Sequence, residues 1–317
     1  MTTHVPPPKL AVVTPAHRHA DRPLRGILLV ISSTGFLASS DAMAKYLSRG
    51  GLPSVEIAWI RFLVFVLILL PIVLAPSAGN PMRSARPLLQ VFRGLGLLCS
   101  SIFFIIALGH LPIAAATATG FVAPVFVTGL SIVFLGEKVG LRRWAATILG
   151  LLGVLVIVRP GTSAFDPATV FPILSALGWA VALVLTRKIS GADRAVTTMA
   201  FSALTGFLVL STIVPFYWIT PTWTQILLGV AIGISSTFGH WIVVLAFRYA
   251  DASVLAPFSY VQLLWVTLLG FFVFSEVPDL WTLGGAAIII ASGVYTAHRE
   301  RVRRAQVTMA SEPFSGA

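Results

Sequence analysis

The sequence predicts an all-α membrane protein of ten transmembrane helices in two inverted five-helix repeats, and three observations predict it. Hydrophobic residues make up 57% of the chain and charged residues only 10%, against about a quarter charged in an ordinary soluble domain. The apolar residues fall into ten runs, each near the roughly 20 residues an α-helix needs to cross the hydrocarbon. Lys and Arg gather in every second gap between those runs, as they do in cytoplasmic loops. A chain of 317 residues with mean hydropathy +0.92 cannot hide that much apolar surface in a soluble core, so lipid is its solvent.

A window of about 19 residues selects the runs 26–46, 55–75, 88–109, 112–135, 142–159, 168–188, 195–218, 223–247, 252–275 and 279–298. None shows the alternation over about ten residues that marks a transmembrane β-strand. With the N-terminus inside, the cytoplasmic segments collect 17 of the 22 Lys and Arg residues. The outside keeps Lys45, Arg49 and Arg159, while Arg61 and Arg93 fall within spans. The expected location is therefore the bacterial inner membrane, multi-pass, with both termini cytoplasmic.

Residues 1–25, rich in Pro, His and Arg, are predicted to be a disordered cytoplasmic tail, and residues 299–317 a second one. No apolar stretch of adequate length precedes a small-residue cleavage site near the N-terminus, so it does not read as a signal peptide. A net charge of +11 would raise nucleic acid in a soluble chain; here it is a topology signal, and no nucleic-acid partner is expected. Cys99 is alone, which excludes an intramolecular disulfide and a cysteine-based metal site; it reads as a small buried hydrophobe.

Five spans per half is an odd number, so a second half that repeats the first must run through the membrane inverted. Glu137 and Glu276, 139 residues apart, mark the repeat, with Val127 and Thr128 matched by Val266 and Thr267 at the same offset. Pro124 has Leu263 as its counterpart, and Pro257 lies earlier in its helix, so the two halves are expected to break differently. Inverted repeats are a recurring construction of secondary transporters, because two halves packed across a midplane can rock to open a site to either side.

The stretch from Arg93 to Pro160 carries Pro112-Ile-Ala-Ala-Ala-Thr117, Ala123-Pro124-Val125, Leu135-Gly136-Glu137-Lys138, Arg143-Trp144 and Gly153-Val154. It resembles an EamA repeat of the drug/metabolite transporter superfamily. Ala246-Phe247-Arg248-Tyr249, Ser275-Glu276 and Ser292-Gly293-Val294 match it in the second half. The resemblance implies two repeats, at 26–160 and 168–298, around a central cavity. It also implies a substrate class without a substrate: amino-acid and metabolite export, drug efflux, or uptake of nutrients including riboflavin and S-adenosylmethionine.

Ionisable groups inside spans are the best pointers to function, since each costs about 2.5–3.5 kcal/mol at mid-helix and is seldom retained without a partner or a cavity. Asp41 and Arg61 lie on the order of 10 Å below the outer surface and are expected to meet across the first helix hairpin. Lys45, one turn beyond Asp41, competes for it, and a structural ion pair is weighed against substrate anchoring. Glu56 reads as a solvated interfacial carboxylate. Arg93 reads as a cation reaching the cytoplasmic headgroups.

His240, beside Trp241, sits roughly 11 Å from the inner end of its span, where it can shuttle protons or simply hydrogen-bond between helices. Trp179 falls at mid-span, away from the interfaces tryptophan prefers. Tyr260, Gln262 and Trp265 bring a hydroxyl, an amide and an indole to mid-depth, where unpaired burial costs several kcal/mol, so some are expected to face a cavity. Ser33, Gly35 and Ser40 read as helix packing, as do Gly94, Gly96, Gly150, Gly153, Gly284 and Gly285.

The expected function is secondary transport of a small metabolite by alternating access, with the proton as coupling ion and the bilayer as surroundings. No cofactor is expected, no catalytic residue and no metal ligand, because no nucleotide-loop context and no clustered carboxylate, His or nucleophile set is present. A membrane-embedded enzyme and a non-transporting scaffold or sensor are the alternatives. The sequence leaves a homodimer open.

Overall fold

Inside hydrocarbon each backbone N–H and C=O must be satisfied within the protein, so an apolar run of about 20 residues folds as a helix. The computed structural model describes residues 23–75, 82–136, 141–189, 192–246, 249–250 and 252–311. Its elements are α1 (Pro23–Arg49), α2 (Ser54–Leu74), α3 (Pro87–His110), α4 (Ile113–Gly120), α5 (Ala123–Leu135) and α6 (Leu141–Val158) in the first half. The second half holds α7 (Val170–Ile189), α8 (Ala195–Ile213), α9 (Trp223–Ala246), α10 (Ala252–Ser259), α11 (Val261–Phe274) and α12 (Leu280–Ser311).

Among the described residues, eight helical stretches are long and apolar enough to cross a membrane, and α6 and α12 add shorter apolar cores at Thr147–Val158 and Leu280–Tyr295. Counting α4–α5 and α10–α11 as one interrupted span each gives ten. Contacts between loops obey the alternation this count demands. Ser84, before α3, bonds Asp193, before α8, on the amino-terminal face. On the far face Ile219 bonds Glu56, and Arg159 pairs with Asp279 at 2.7 Å.

The halves pack as symmetry mates. Helix α3 packs along α7 as α9 packs along α1, α2 meets α8, and α6 meets α12. Ser33 Oγ donates to the Gly239 carbonyl and Ser175 Oγ to the Ser100 carbonyl, both at 2.8 Å; the two acceptors stand 139 residues apart.

The same offset relates the two interruptions, which corrects the expectation that the halves break differently. Helix α4 gives way at Phe121, whose N–H bonds the Ala118 carbonyl at 3.2 Å, and α10 at Tyr260, whose N–H bonds the Pro257 carbonyl at 3.4 Å. Both are i→i−3 bonds, tighter than a helical turn. The prolines flank the break from opposite sides: Pro124, just after it, has no N–H for the Gly120 carbonyl, and Pro257, just before it, has none for Ser253. Helices α5 and α11 then both end on a left-handed residue, Gly136 at φ 66° and Ser275 at φ 55°. Glu137 itself lies outside the described residues, as do residues 1–22 of the expected N-terminal tail.

Charged groups clasp both faces. On the far face Lys45 Nζ and Arg49 Nη2 reach Glu276 Oε1 at 2.9 and 2.7 Å, Glu276 Oε2 accepts from Ile113 N–H at 3.0 Å, and Lys45 also donates to the Leu111 carbonyl. Lys45 is therefore not the partner of Asp41: a carboxylate and a carbonyl capture it one turn away. Glu56, expected to be solvated, is fully buried and accepts from Ile219 N–H at 3.1 Å; its place in the first turn of α2 suits its charge.

On the amino-terminal face Asp193 accepts from Ser84 Oγ at 2.5 Å, Ala85 N–H at 2.8 Å and Gln90 Nε2 at 2.8 Å. Arg93 does not reach toward headgroups. It donates to Thr186 Oγ1 at 2.6 Å, to the Thr198 carbonyl at 3.2 Å and to Ser202 Oγ, stapling α3 to α7 and α8.

Two further expectations change. Cys99 is exposed on α3 rather than buried. Residues 299–311 continue α12 as helix where a disordered tail was expected; Arg, Glu, Ala and Gln are good helix formers and inherit an already nucleated helix.

Close approach at glycine sets the helix spacing. A Cβ on Gly178 would stand 2.8 Å from the Gly96 carbonyl oxygen and 2.8 Å from Ser100 N, whereas one on Gly284 meets nothing within 4 Å, so Gly284 is not a packing glycine. Gly178→Ala is expected to cost about 1–3 kcal/mol and to lower the melting temperature of the purified protein. Gly284→Ala is expected to leave it unchanged or raised, since alanine is the better helix former.

Burial works against the charge of Asp193, but its hydrogen bonds from Ser84, Ala85 and Gln90 and the nearby Arg86 outweigh this and hold its carboxyl below the ordinary carboxylate range. A carboxyl lowered in the folded state adds stability above its unfolded value, about 3.9 for Asp, and loses it as pH falls through the folded value. Asp193→Asn is expected to melt earlier than the unsubstituted protein at pH 7. That gap holds down to about pH 4 and closes below it, as a pH series of melting curves will show.

Candidate functional site

The interrupted spans meet at the centre of the molecule, where the Phe121 and Tyr260 rings lie 5.0 Å apart. Beside them is a cavity of about 240 Å³. The break in the first half supplies Gly120, Phe121 and Ala123 to its wall, and the start of α11 supplies Gln262, the residue 139 positions after Ala123. Broken helices at this depth are tolerated where the freed backbone lines a cavity or is buried in protein. The N-terminal ends of α5 and α11, with their partial positive charge, both adjoin the cavity.

Helix α1 contributes Leu37 and Asp41, and α2 contributes Arg61. Asp41 is 8% exposed and accepts from Gln262 Nε2 at 3.3 Å. Arg61 is close enough to act on Asp41 electrostatically, but the two form no ion pair. The expected contact across the first hairpin is thus a shared wall, not a salt bridge.

Helix α7 brings Trp179 and Ser175, and α9 brings His240. The Trp179 and His240 rings meet edge to face, 6.2 Å apart at 77°. Helix α3 adds Ser100, Ser101 and Phe104, and α4 adds Thr117. Two buried polar atoms on these walls, Ser101 Oγ and Thr117 Oγ1, have no hydrogen-bond partner among the described residues. Such atoms are costly to leave unmet.

Of the eight residues singled out from sequence, Asp41, Arg61, Trp179, His240 and Gln262 line one cavity. The other three do not. Trp241 is 47% exposed, on the outer side of α9. Tyr260 packs between Phe121 and the backbone at Gly293. Trp265 lays its ring on Gly35 and donates Nε1–H to the Ile31 carbonyl at 3.3 Å, fixing α11 to α1.

Sequence reasoning missed the hydroxyls of Ser100, Ser101, Thr117 and Ser175. A serine in a transmembrane helix can bond its own backbone and carry no signal; only the doublet Ser100-Ser101 marks a polar spot in an otherwise apolar run.

Comparison with known proteins gives two matches to one family and several whole-length relatives. The sequence model of the EamA-like transporter family matches residues 24–159 and again 167–297. An S-adenosylmethionine uptake transporter of Rickettsia prowazekii is 30% identical over 278 residues, covering 88% of this chain and 94% of that one. A riboflavin transporter of Vibrio cholerae is 30% identical over 284 residues, covering 85% and 92%. A crystal structure 22% identical superposes with a TM-score of 0.59 over 87% of this chain and 98% of that chain, a likeness of fold.

If the cavity holds water, a thiol placed on its wall is reachable from an aqueous phase. In a Cys99→Ser background, Ser101→Cys and Thr117→Cys are expected to react with a small water-soluble maleimide in membrane vesicles. Val133→Cys, on the exposed side of α5, is expected to stay unlabelled because it meets lipid. Mass spectrometry of the intact protein reads the difference.

Proposed function

The chain belongs to the EamA-like transporter family, and from that premise we propose that it is a secondary carrier moving a small metabolite across the bacterial inner membrane by alternating access. It is a multi-pass membrane protein, related over most of its length to transporters of small metabolites. The reading is supported by the central cavity, which lies beside two symmetry-related helix breaks, and by the polar clasps that join the halves on each face. Two halves related by symmetry have two equivalent ways to rock about a site between them.

The amino-terminal face is taken as cytoplasmic, on the basic residues it collects. Asp41, Arg61, Trp179, His240 and Gln262 are proposed to contact the solute. The proton is proposed as coupling ion, with Asp41 as its acceptor, because a buried carboxylate held by a single neutral amide can exist in either protonation state without breaking an ion pair. The small metabolite tried first is S-adenosylmethionine, after the relatives that carry that name, with riboflavin second.

Reconstituted into liposomes, the protein is expected to take up labelled S-adenosylmethionine faster than protein-free liposomes, and an outward proton gradient is expected to raise the initial rate several-fold, because a proton and the solute compete for Asp41. Asp41→Asn is expected to retain normal membrane abundance, lose at least nine-tenths of the uptake and no longer respond to the gradient. Uptake of neither S-adenosylmethionine nor riboflavin by a well-folded preparation would sink this reading.

A further inference from the structure

We infer that Asp41 and Arg61 are the two poles that read an α-amino acid end group on the solute, so that the cavity selects metabolites bearing an ammonium and a carboxylate together. The inference rests on the carrier reading and names the chemistry of its site. Asp41 on α1 and Arg61 on α2 line one cavity and act on each other electrostatically, yet they are not in contact. Elsewhere this chain closes opposite charges directly, as Lys45 and Arg49 do on Glu276 at 2.9 and 2.7 Å. Placing two charges in a membrane interior and leaving them apart is costly, unless a third body completes both.

The unmet hydrogen-bonding capacity of the pair is of the kind that body would fill. Asp41 is buried and has one donor among the described residues, Gln262 Nε2 at 3.3 Å, while a carboxylate offers about four acceptor positions. Arg61 makes no hydrogen bond to the described residues, although guanidinium carries five N–H donors in a fork that matches a carboxylate. An α-ammonium against Asp41 and the adjoining α-carboxylate against Arg61 would satisfy both with one group whose charges are a bond or two apart. The remainder of the solute would meet the unpartnered Ser101 Oγ and Thr117 Oγ1 and the Trp179 and His240 rings. A neutral ring system lacking both poles would leave two desolvated charges unpaired, which a site built on hydrogen bonds rejects strongly.

The test is equilibrium binding to the purified full-length protein, read by thermal shift, with three probes. S-adenosylhomocysteine carries the zwitterion; methylthioadenosine shares its adenosine and thioether but has neither pole; riboflavin shares none of these. S-adenosylhomocysteine is expected to bind at least tenfold more tightly than methylthioadenosine. Asp41→Asn and Arg61→Gln are each expected to weaken it at least tenfold while changing methylthioadenosine less than twofold. Asp41→Glu and Arg61→Lys, which keep the charges, are expected to restore part of the loss, separating lost recognition from lost folding. Equal binding of the two thioethers, indifference to both neutralising variants, or binding of riboflavin alone would overturn the inference and leave the carrier reading standing. Binding of none of the three would overturn both.

Discussion

The structure depends on one constraint: a peptide group in hydrocarbon has no water to bond, so a helix can be interrupted only where protein or a cavity receives the freed groups. Ten spans allow many places for a break. Among the described residues the spans break at Phe121 and Tyr260, which are equivalent by repeat and touch at the molecular centre. The breaks therefore cannot drift independently. Each is sheltered by the other half, and the cavity lies where the shelter is shared.

Symmetry of the backbone does not extend to the chemistry. Ala123 and Gln262 occupy equivalent starts of α5 and α11, yet one is inert and the other bonds Asp41. The offset of 139 that pairs Phe121 with Tyr260 pairs Ser101 with His240 and leaves Arg61 opposite an alanine, Ala200. A duplicated frame supplies two equivalent ways to move; divergent side chains supply a single orientation in which a solute fits. The carrier reading needs both, because a site that was itself symmetric could not distinguish the two ends of a small molecule.

What the sequence made legible follows from how each property is encoded. Span count and topology are written in long, redundant signals: runs of apolar residues and the sorting of basic ones, where no single residue decides. The cavity residues that could be read, Asp41, Arg61, Trp179, His240 and Gln262, are groups whose presence in a span has a cost that demands an explanation. Tyr260, Trp241 and Trp265 fall outside the cavity wall for separate reasons: Trp265 bonds the Ile31 carbonyl, Tyr260 packs against Phe121 and Gly293, and Trp241 is exposed. Glu56, Lys45 and Arg93 misled for a different reason. Their partners, Ile219, Glu276 and Thr186, lie 163, 231 and 93 residues away, and nothing local announces a partner at that distance.

The two clasps are built from unlike chemistry, and the difference bears on how the halves can move. The far face is closed by Lys45 and Arg49 on Glu276, charge against charge, with Lys45 fully buried. The opposite face is held by neutral donors on Asp193, a partly exposed carboxylate, and by two cations on neutral acceptors, Arg86 on the Lys188 carbonyl and Arg93 on Thr186, Thr198 and Ser202. Separating a buried cation from its carboxylate leaves an uncompensated charge unless water enters at once, whereas releasing Asp193 exchanges protein hydrogen bonds for water ones at small net cost. Under the carrier reading, opening the far face requires something that alters the charge balance at α1. Asp41 lies one helical turn from Lys45, so a solute or a proton arriving at Asp41 acts on the same helix that carries the far clasp.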